Sequence, residues 1–415
     1  MKKQSWNAVA WGGVVLLLIA LLAGCSDGGN ERYEVSTGGD AVRADGAARK
    51  IVIFDQTVMN GTAQDEILQR TGAVKVKSLP IANAAVVLAA PANENALKGT
   101  PGVLRVEEDA IAHTLAKPGG SGGKPAPTPP AETLPWGVDK IDADLVWDAD
   151  RNLVLDSGAI AGAGVTVAVV DTGIDLTHPD LAANIAGGYN AIDPAKSAND
   201  DNGHGSHVAG TIAGVDNTVG VLGVAPRASL LAVKVLDRRG SGYYSDIIEG
   251  IQWSVNNGAQ VINMSLGGTY DSSALHSAVT AAVNAGVVVV AAAGNSGPGD
   301  NTVNYPAKYA EVIAVSATTS SNTLASFSSR GTEVELAAPG SSIYSTYKGG
   351  GYQTLSGTSM ASPHVAGAAA LVIASGVSGV DNVRARLRTT ATDLGAAGKD
   401  NLYGYGLVNA KNAMP

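Results

Sequence analysis

The strongest constraint on this chain of 415 residues is a rhythm that holds from residue 132 to residue 415. Short apolar runs, VTVAVV, LLAVKVL, VINMSL, VVVVAAAGN and EVIAVSA, alternate with Ala-rich stretches of helical spacing such as DIIEGIQWSVNNG, ALHSAVTAAVNAG and ASPHVAGAAALVIAS. A strand that is apolar at every position has no face to offer water, so helices must cover both of its sides, and that arrangement makes the strands parallel. The region therefore reads as α/β, a doubly wound parallel sheet. Ligands in such sheets bind beyond the carboxyl ends of the strands, so the polar residues that close the apolar runs are the first candidates for a site.

Composition narrows the classes. Apolar residues make up 45% and charged residues 16%, with 52 glycines, which excludes a disordered chain or a coiled coil. The formal charge of -9 repels a phosphate backbone and argues against a nucleic-acid partner. A single cysteine, Cys25, excludes an intramolecular disulfide and a Cys-rich zinc site. Stapling must come from packing or a metal.

The chain opens with Lys2 and Lys3, then carries no charge until Asp27, with an apolar run from Val14 to Leu22. That is the pattern of a signal peptide, residues 1–24, and the run falls well short of the ~20 residues of a membrane span. It closes on LLAGC, which resembles the lipobox of bacterial lipoproteins, with Cys25 as the acylated residue; the alternative is an ordinary secretory signal cut at the small residues nearby. Residues 25–47 read as a tether. From 48 to 116 the order is strand, helix, strand, strand, helix, strand, with Thr62 as a plausible cap of the first helix; this suggests a small ferredoxin-like α+β unit. Residues 117–131, KPGGSGGKPAPTPPA, have the marks of an exposed linker and a place to be cut. The GGSGG inside it satisfies G-x-S-x-G without the strand and helix that a nucleophile elbow requires. The stretch from Asp144 to Gly162 matches no motif, and its DADRN string lacks the Gly and closing Glu of an EF-hand loop.

Three segments beyond the linker carry a hydrolytic set. Asp171 follows the run Val167 to Val170 and is either a sheet-end cap or an orienting carboxylate. His204 and His207 lie three apart in DDNGHGSHVAGT, with no third ligand spaced for a zinc site, and His207 alone suits a structural role. Ser359 sits in a Gly-Thr-Ser turn that feeds a long Ala-rich helix, either as a cap or where the helix N-terminus favours a developing negative charge. A serine nucleophile needs a base, and the base needs a partner that fixes its tautomer.

Together DTGID, GHGSHVAGT, NMSLGG, AAAGN and GTSMASPHVAG, with the closing YGYGLVNA, resemble the subtilisin family of serine proteases over essentially all of 132–415. The resemblance implies that Ser359 attacks the scissile carbonyl, His204 is the general base and then the general acid, Asp171 orients it, and Asn295 donates to the oxyanion. It implies that Ser265, Leu266 and Gly267 pair with the substrate backbone on one side and Gly240 to Tyr244 on the other, with Tyr244 walling a pocket upstream of the cut. Ala291 to Gly294, Ala292 included, and Asn304 would line the primary pocket; many relatives carry Gly at the latter position, so Asn304 would narrow or polarise its floor.

By the same resemblance a structural calcium ion is expected on the loop 214–223, held by the side chains of Glu132, Asp180 and Asn217 and the carbonyls of Val215, Val219 and Val221. Residues 48–116 look like the family's propeptide, an intramolecular inhibitor, with a cut between about His113 and Ala131. The expected function is a secreted serine endopeptidase acting on polypeptides. Its precursor would meet the membrane only through the lipid on Cys25. The competing reading, a lipid-anchored binding protein without turnover, would have been favoured by loss of any of Asp171, His204, Ser359 or Asn295.

Overall fold

The computed structural model describes residues 46–118 and 129–415. Cys25, the LLAGC string and the GGSGG run lie outside the described residues. No helix among the described residues is long and apolar enough to cross a membrane.

The N-terminal unit comprises β1 (Ala48–Phe54), α1 (Gly61–Thr71), β2 (Val74–Leu79), β3 (Ala84–Ala89), α2 (Pro91–Lys98) and β4 (Val103–Glu108). Its sheet runs β2-β3-β1-β4, with β1 antiparallel to both β3 and β4. This is the expected ferredoxin-like arrangement. One boundary is corrected: α1 starts at Gly61, because the Asn60 side chain accepts from Ala63 N at 2.7 Å and caps the helix ahead of Thr62. Alternation along β1 gives the sheet two apolar faces. Val52 and Phe54 pack with Ile67, Leu68 and Leu97 beneath the unit's own helices. Ile51 and Ile53 point the other way and join a cluster with Ile247, Ile248 and Leu275 of the larger body.

After β4 come β5 (Ile111–Thr114) and β6 (Lys117–Pro118), two short segments that belong to neither main sheet. Pro118 and Lys117 pair with Leu355 and Ser356, and Ala131 and Thr133 bridge to Val219 and Val221. The expected linker is thus docked at both ends, because its terminal residues find unpaired backbone to bond.

The larger body begins with α3 (Trp136–Lys140) and α4 (Asp144–Trp147). Its sheet strands are β7 (Thr166–Asp171), β8 (Ile185–Asn190), β9 (Ser229–Lys234), then, after the short β10 (Ser241–Tyr243), β11 (Val261–Met264). The short β12 (Leu266–Gly267) precedes β13 (Val288–Ala292), β14 (Ile313–Thr318) and β15 (Val334–Pro339). The hairpin β16 (Ile343–Tyr347) and β17 (Gly351–Ser356) completes the strands. Seven of these form one parallel sheet in the order β15-β14-β13-β11-β7-β9-β8. Helices α5 (His204–Ala213), α6 (Tyr244–Asn256), α7 (Ser273–Asn284), α8 (Thr358–Ala374) and α9 (Val380–Thr389) follow in chain order. Val167 and Val169 of β7 pack with residues of α5 and α8, while Ala168 and Val170 pack with residues of α6 and α7. From β7 the chain fills one side of the sheet with β8 and β9, then crosses to build the other side from β11. The crevice at the carboxyl end of β7 is the topological switch point.

Candidate active site

Asp171 ends β7 and His204 begins α5, and the two meet at the switch point with His204 Nδ1 2.7 Å from Asp171 Oδ1. Both side chains are buried. Asp171 Oδ1 also accepts the Thr172 N–H at 2.7 Å, so the carboxylate is held from its own backbone. An Nδ1–H donor to Asp171 leaves Nε2 as the lone-pair nitrogen, which is buried without a partner.

Ser359 is the second residue of α8. Its Oγ donates to the Ser265 carbonyl at 2.9 Å and accepts the Leu115 N–H at 3.0 Å. The expected contact between hydroxyl and imidazole is therefore not made in this state. The physical reason is local: the Leu115 N–H and the Ser265 carbonyl together satisfy the hydroxyl.

The carbonyl of Leu115 receives two donors, Asn295 Nδ2 at 2.7 Å and the Ser359 N–H at 3.2 Å. Asn295 is aimed by Thr358, whose N–H and hydroxyl both donate to Oδ1 at 3.0 Å and so turn Nδ2 toward Leu115. Gly357 permits the approach, since a Cβ there would lie 2.2 Å from the Leu115 oxygen. Donor pairs of this kind stabilise the oxyanion of an acyl-transfer intermediate.

Leu115 is delivered by β5, which lies between β10 and β12 and runs antiparallel to both. Leu266 and Gly267 pair with Thr114 and His113, and Tyr243, Gly242 and Ser241 pair with Ile111, Ala112 and His113. Ala112 is buried in one cluster with Tyr244 and Leu266. Tyr244 is thus fully enclosed, its hydroxyl donating to the Tyr270 carbonyl at 3.0 Å. A Cβ on Gly267 would lie 3.0 Å from both Leu115 Cδ1 and Asn304 Cβ, and one on Gly294 would lie 3.1 Å from Asn304 Cγ. The Leu115 side chain therefore lies beside Asn304 at Gly267, and Ala292 is the buried last residue of β13.

At the loop 214–223, Glu132 Oε1 accepts the N–H groups of Asn217 (2.8 Å) and Thr218 (3.1 Å). Asp180 Oδ2 accepts the Val221 N–H at 2.8 Å and Asn217 Nδ2 lies 3.2 Å from Oδ1. Burial, with the Glu132 charge adding to it, pushes the Asp180 carboxyl up to about 7. Burial and Asp216 likewise raise Glu132. Two carboxylates from separate segments, Glu132 and Asp180, thus converge on this loop, and hard oxygen donors of that kind fit calcium. Asn217 turns its nitrogen rather than its oxygen toward Asp180, as suits a carboxylate facing it directly. Elsewhere, Asp148, Asp150 and Asp156 bring carboxylate oxygens within 4.8 Å of one another, in the segment where the sequence offered no motif.

Sequence reasoning passed over Thr358 and Asp200. Thr358 stood within a quoted string but had no assigned task. Asp200 likewise stood in the quoted DDNGHGSHVAGT with no assigned task.

Comparison with known proteins places the chain in a family. The pattern of the Subtilase family matches residues 162–406. Subtilisin E of Bacillus subtilis (strain 168) is 45% identical over 369 residues, 88% of this chain and 89% of the relative. Subtilisin DY of Bacillus licheniformis is 51% identical over 286 residues, 68% of this chain and 99% of the relative. An alkaline protease of Alkalihalobacillus alcalophilus is 46% identical over 324 residues, 78% and 77% of the two chains. The chain belongs to the subtilase family and is a subtilisin-like serine endopeptidase.

Proposed function

We propose that the chain is an exported, autoinhibited endopeptidase precursor that cuts itself between Leu115 and Ala116 and thereafter hydrolyses polypeptides through Asp171, His204 and Ser359. The observation that carries this reading is the Leu115 carbonyl, bound by Asn295 Nδ2 and the Ser359 N–H at the end of a strand paired on both sides. A substrate would be held in the same way.

In the reaction, Ser359 Oγ turns from Ser265 to His204 Nε2, which removes its proton as Oγ bonds to the carbonyl carbon. Asp171, fixed on Nδ1–H, stabilises the imidazolium. The oxyanion gains from donors already aimed at it, without reorganisation of solvent. His204 then returns the proton to the leaving amine, and water repeats the sequence on the acyl-enzyme. Backbone pairing along β10 and β12 selects extended chain rather than particular side chains. Leu115 beside Asn304 favours an aliphatic residue of its size there.

Residues 48–115 act as the inhibitor, lying along the cleft until the cut and for a time after it. Glu132, Asp180 and Asn217, with the carbonyls of Val215, Val219 and Val221, would hold a calcium ion that relieves the crowding of the two carboxylates. Lipid on Cys25 would stay with the released N-terminal fragment. The test is expression of the full chain beside its Ser359→Ala variant. The native sequence should yield a heavy fragment beginning at Ala116 and digest casein, while the variant stays whole and inert. Equal digestion by both, or lipid on an active chain that retains Ser359, would overturn the respective part of the reading.

A further inference from the structure

Asp171 and His204 belong to different elements, 33 residues apart, yet their bond is only 2.7 Å long. Something must register the end of β7 against the start of α5. Asp200, buried just ahead of α5, is bonded to both. Its Oδ1 accepts from Thr172 Oγ1 (2.9 Å), Asn202 N (2.9 Å) and Gly203 N (2.8 Å). Its Oδ2 accepts from Ser206 N (2.9 Å) and Ser206 Oγ (2.7 Å). Gly203 and Ser206 flank His204 in the helix's first turn, where backbone donors have no partner within the helix. Thr172 follows Asp171, holds its Oδ1 through N–H, and accepts the Gly205 N–H on Oγ1 at 2.9 Å. No side chain cushions the junction: a Cβ on Gly205 would lie 2.1 Å from the Gly173 carbonyl and 3.2 Å from Asp171 Oδ1.

We propose that Asp200 and Thr172 are positioning residues, which set the His204 ring against Asp171 by tying the strand end to the helix start. The inference rests on the triad reading above. A misplacement of about 1 Å in such a pair can cost about 100-fold in rate, and it acts on the chemical step rather than on substrate docking.

The test is steady-state kinetics on the matured enzyme, with burst titration so that rates are expressed per competent site. Asp200→Asn should lower kcat about 10- to 100-fold, with KM changed by less than about twofold. Thr172→Val, which keeps the shape and removes the hydroxyl, should lower kcat about tenfold, and Thr172→Ser should restore most of it. In an Asp171→Asn background, Asp200→Asn should cost less than about a further twofold, because a shared path of action is non-additive. Undiminished kcat per site in both Asp200→Asn and Thr172→Val, or the full cost of Asp200→Asn persisting without the Asp171 charge, overturns the proposal. Should Asp200→Asn fail to fold, the Thr172 pair decides it alone. A native enzyme no more active than Ser359→Ala would instead refute the triad reading.

Discussion

Asn295 Nδ2 lies 2.7 Å from the carbonyl oxygen of Leu115, across 180 residues of sequence. Because Thr358 fixes the amide from behind, this donor is in place before charge develops. Asn295→Ala should therefore lower kcat by roughly 100- to 1,000-fold with little change in KM, the magnitude that loss of such a donor has in subtilisin. Turnover of a chromogenic peptide measures it. An unchanged kcat removes Asn295 from the reaction.

Two carboxylates of the N-terminal unit grip the larger body at helix starts. Glu107 accepts from Ser272 Oγ, Ser273 N and Ala274 N at α7, and Asp109 accepts from Ser245 N and Oγ at α6 while bonded to Arg49. Both acids are buried, and each satisfies first-turn donors that nothing else reaches. Replacing either by its amide should weaken the hold by about 1–3 kcal/mol, or about 5- to 150-fold. The readout is the lag between the Leu115–Ala116 cut and the appearance of activity, which should shorten in Glu107→Gln and in Asp109→Asn. A lag unchanged in both would assign the hold to β5 alone.

Asp171, His204, Ser359 and Asn295 stood out through the strings that resemble the subtilisin family, and a doubly wound sheet brings strand ends and helix starts such as theirs to one edge. The order of strands and helices in the N-terminal unit was legible too, but not that its β1 would bury both of its faces. Contacts set by long-range approach were not legible. Nothing in DAIAHTLA says that Leu115 will lie against Asn295, since a four-residue strand followed by Gly and Pro looks like the way into a linker. The partner of the Ser359 hydroxyl depends on that occupant and on one rotamer. Asp200 was hidden for a similar reason, as its five donors come from Thr172 and from a helix turn whose start the sequence fixes only loosely.

His207 and His364 are buried and neutral. His207 Nε2 donates to the carbonyls of Ile343 and Gln353, and His364 Nδ1 to that of Met360. Burial, with the neighbouring His204 adding, pushes His207 down to about 3, and burial pushes His364 down to about 4, from an ordinary 6.5. Between those values and 6.5 the unfolded chain binds protons that the folded chain refuses. The contribution of these two histidines to stability therefore rises with pH in this window and is lost as pH falls through it, by up to about 1.4 kcal/mol per pH unit for each, while the raised Asp180 carboxyl opposes it in part. The denaturation midpoint of the Ser359→Ala chain, which cannot digest itself, should fall between pH 6.5 and 4. His364→Gln should make that fall shallower, and an equal slope in both chains would count against the assignment.

Glu132 and Leu115 are seated at once in the same uncut chain: Glu132 caps the Asn217–Thr218 turn while Leu115 fills the cleft. The sixteen residues from Ala116 to Ala131 can extend up to about 55 Å, so neither seat has to be given up for the other. If the loop is the calcium site, metal loading need not wait for the cut. The unprocessed Ser359→Ala chain should bind calcium in a titration calorimeter, and ion at 100 times its dissociation constant should stabilise it by about 2.7 kcal/mol. Chelator should reverse that gain, and Glu132→Ala should abolish most of it. Deleting residues 119–128 from the same chain should set the two seats in competition, weakening either calcium binding or the hold of the tail. Calcium bound only after the chain is cut at Leu115 would show instead that the loop is completed by processing.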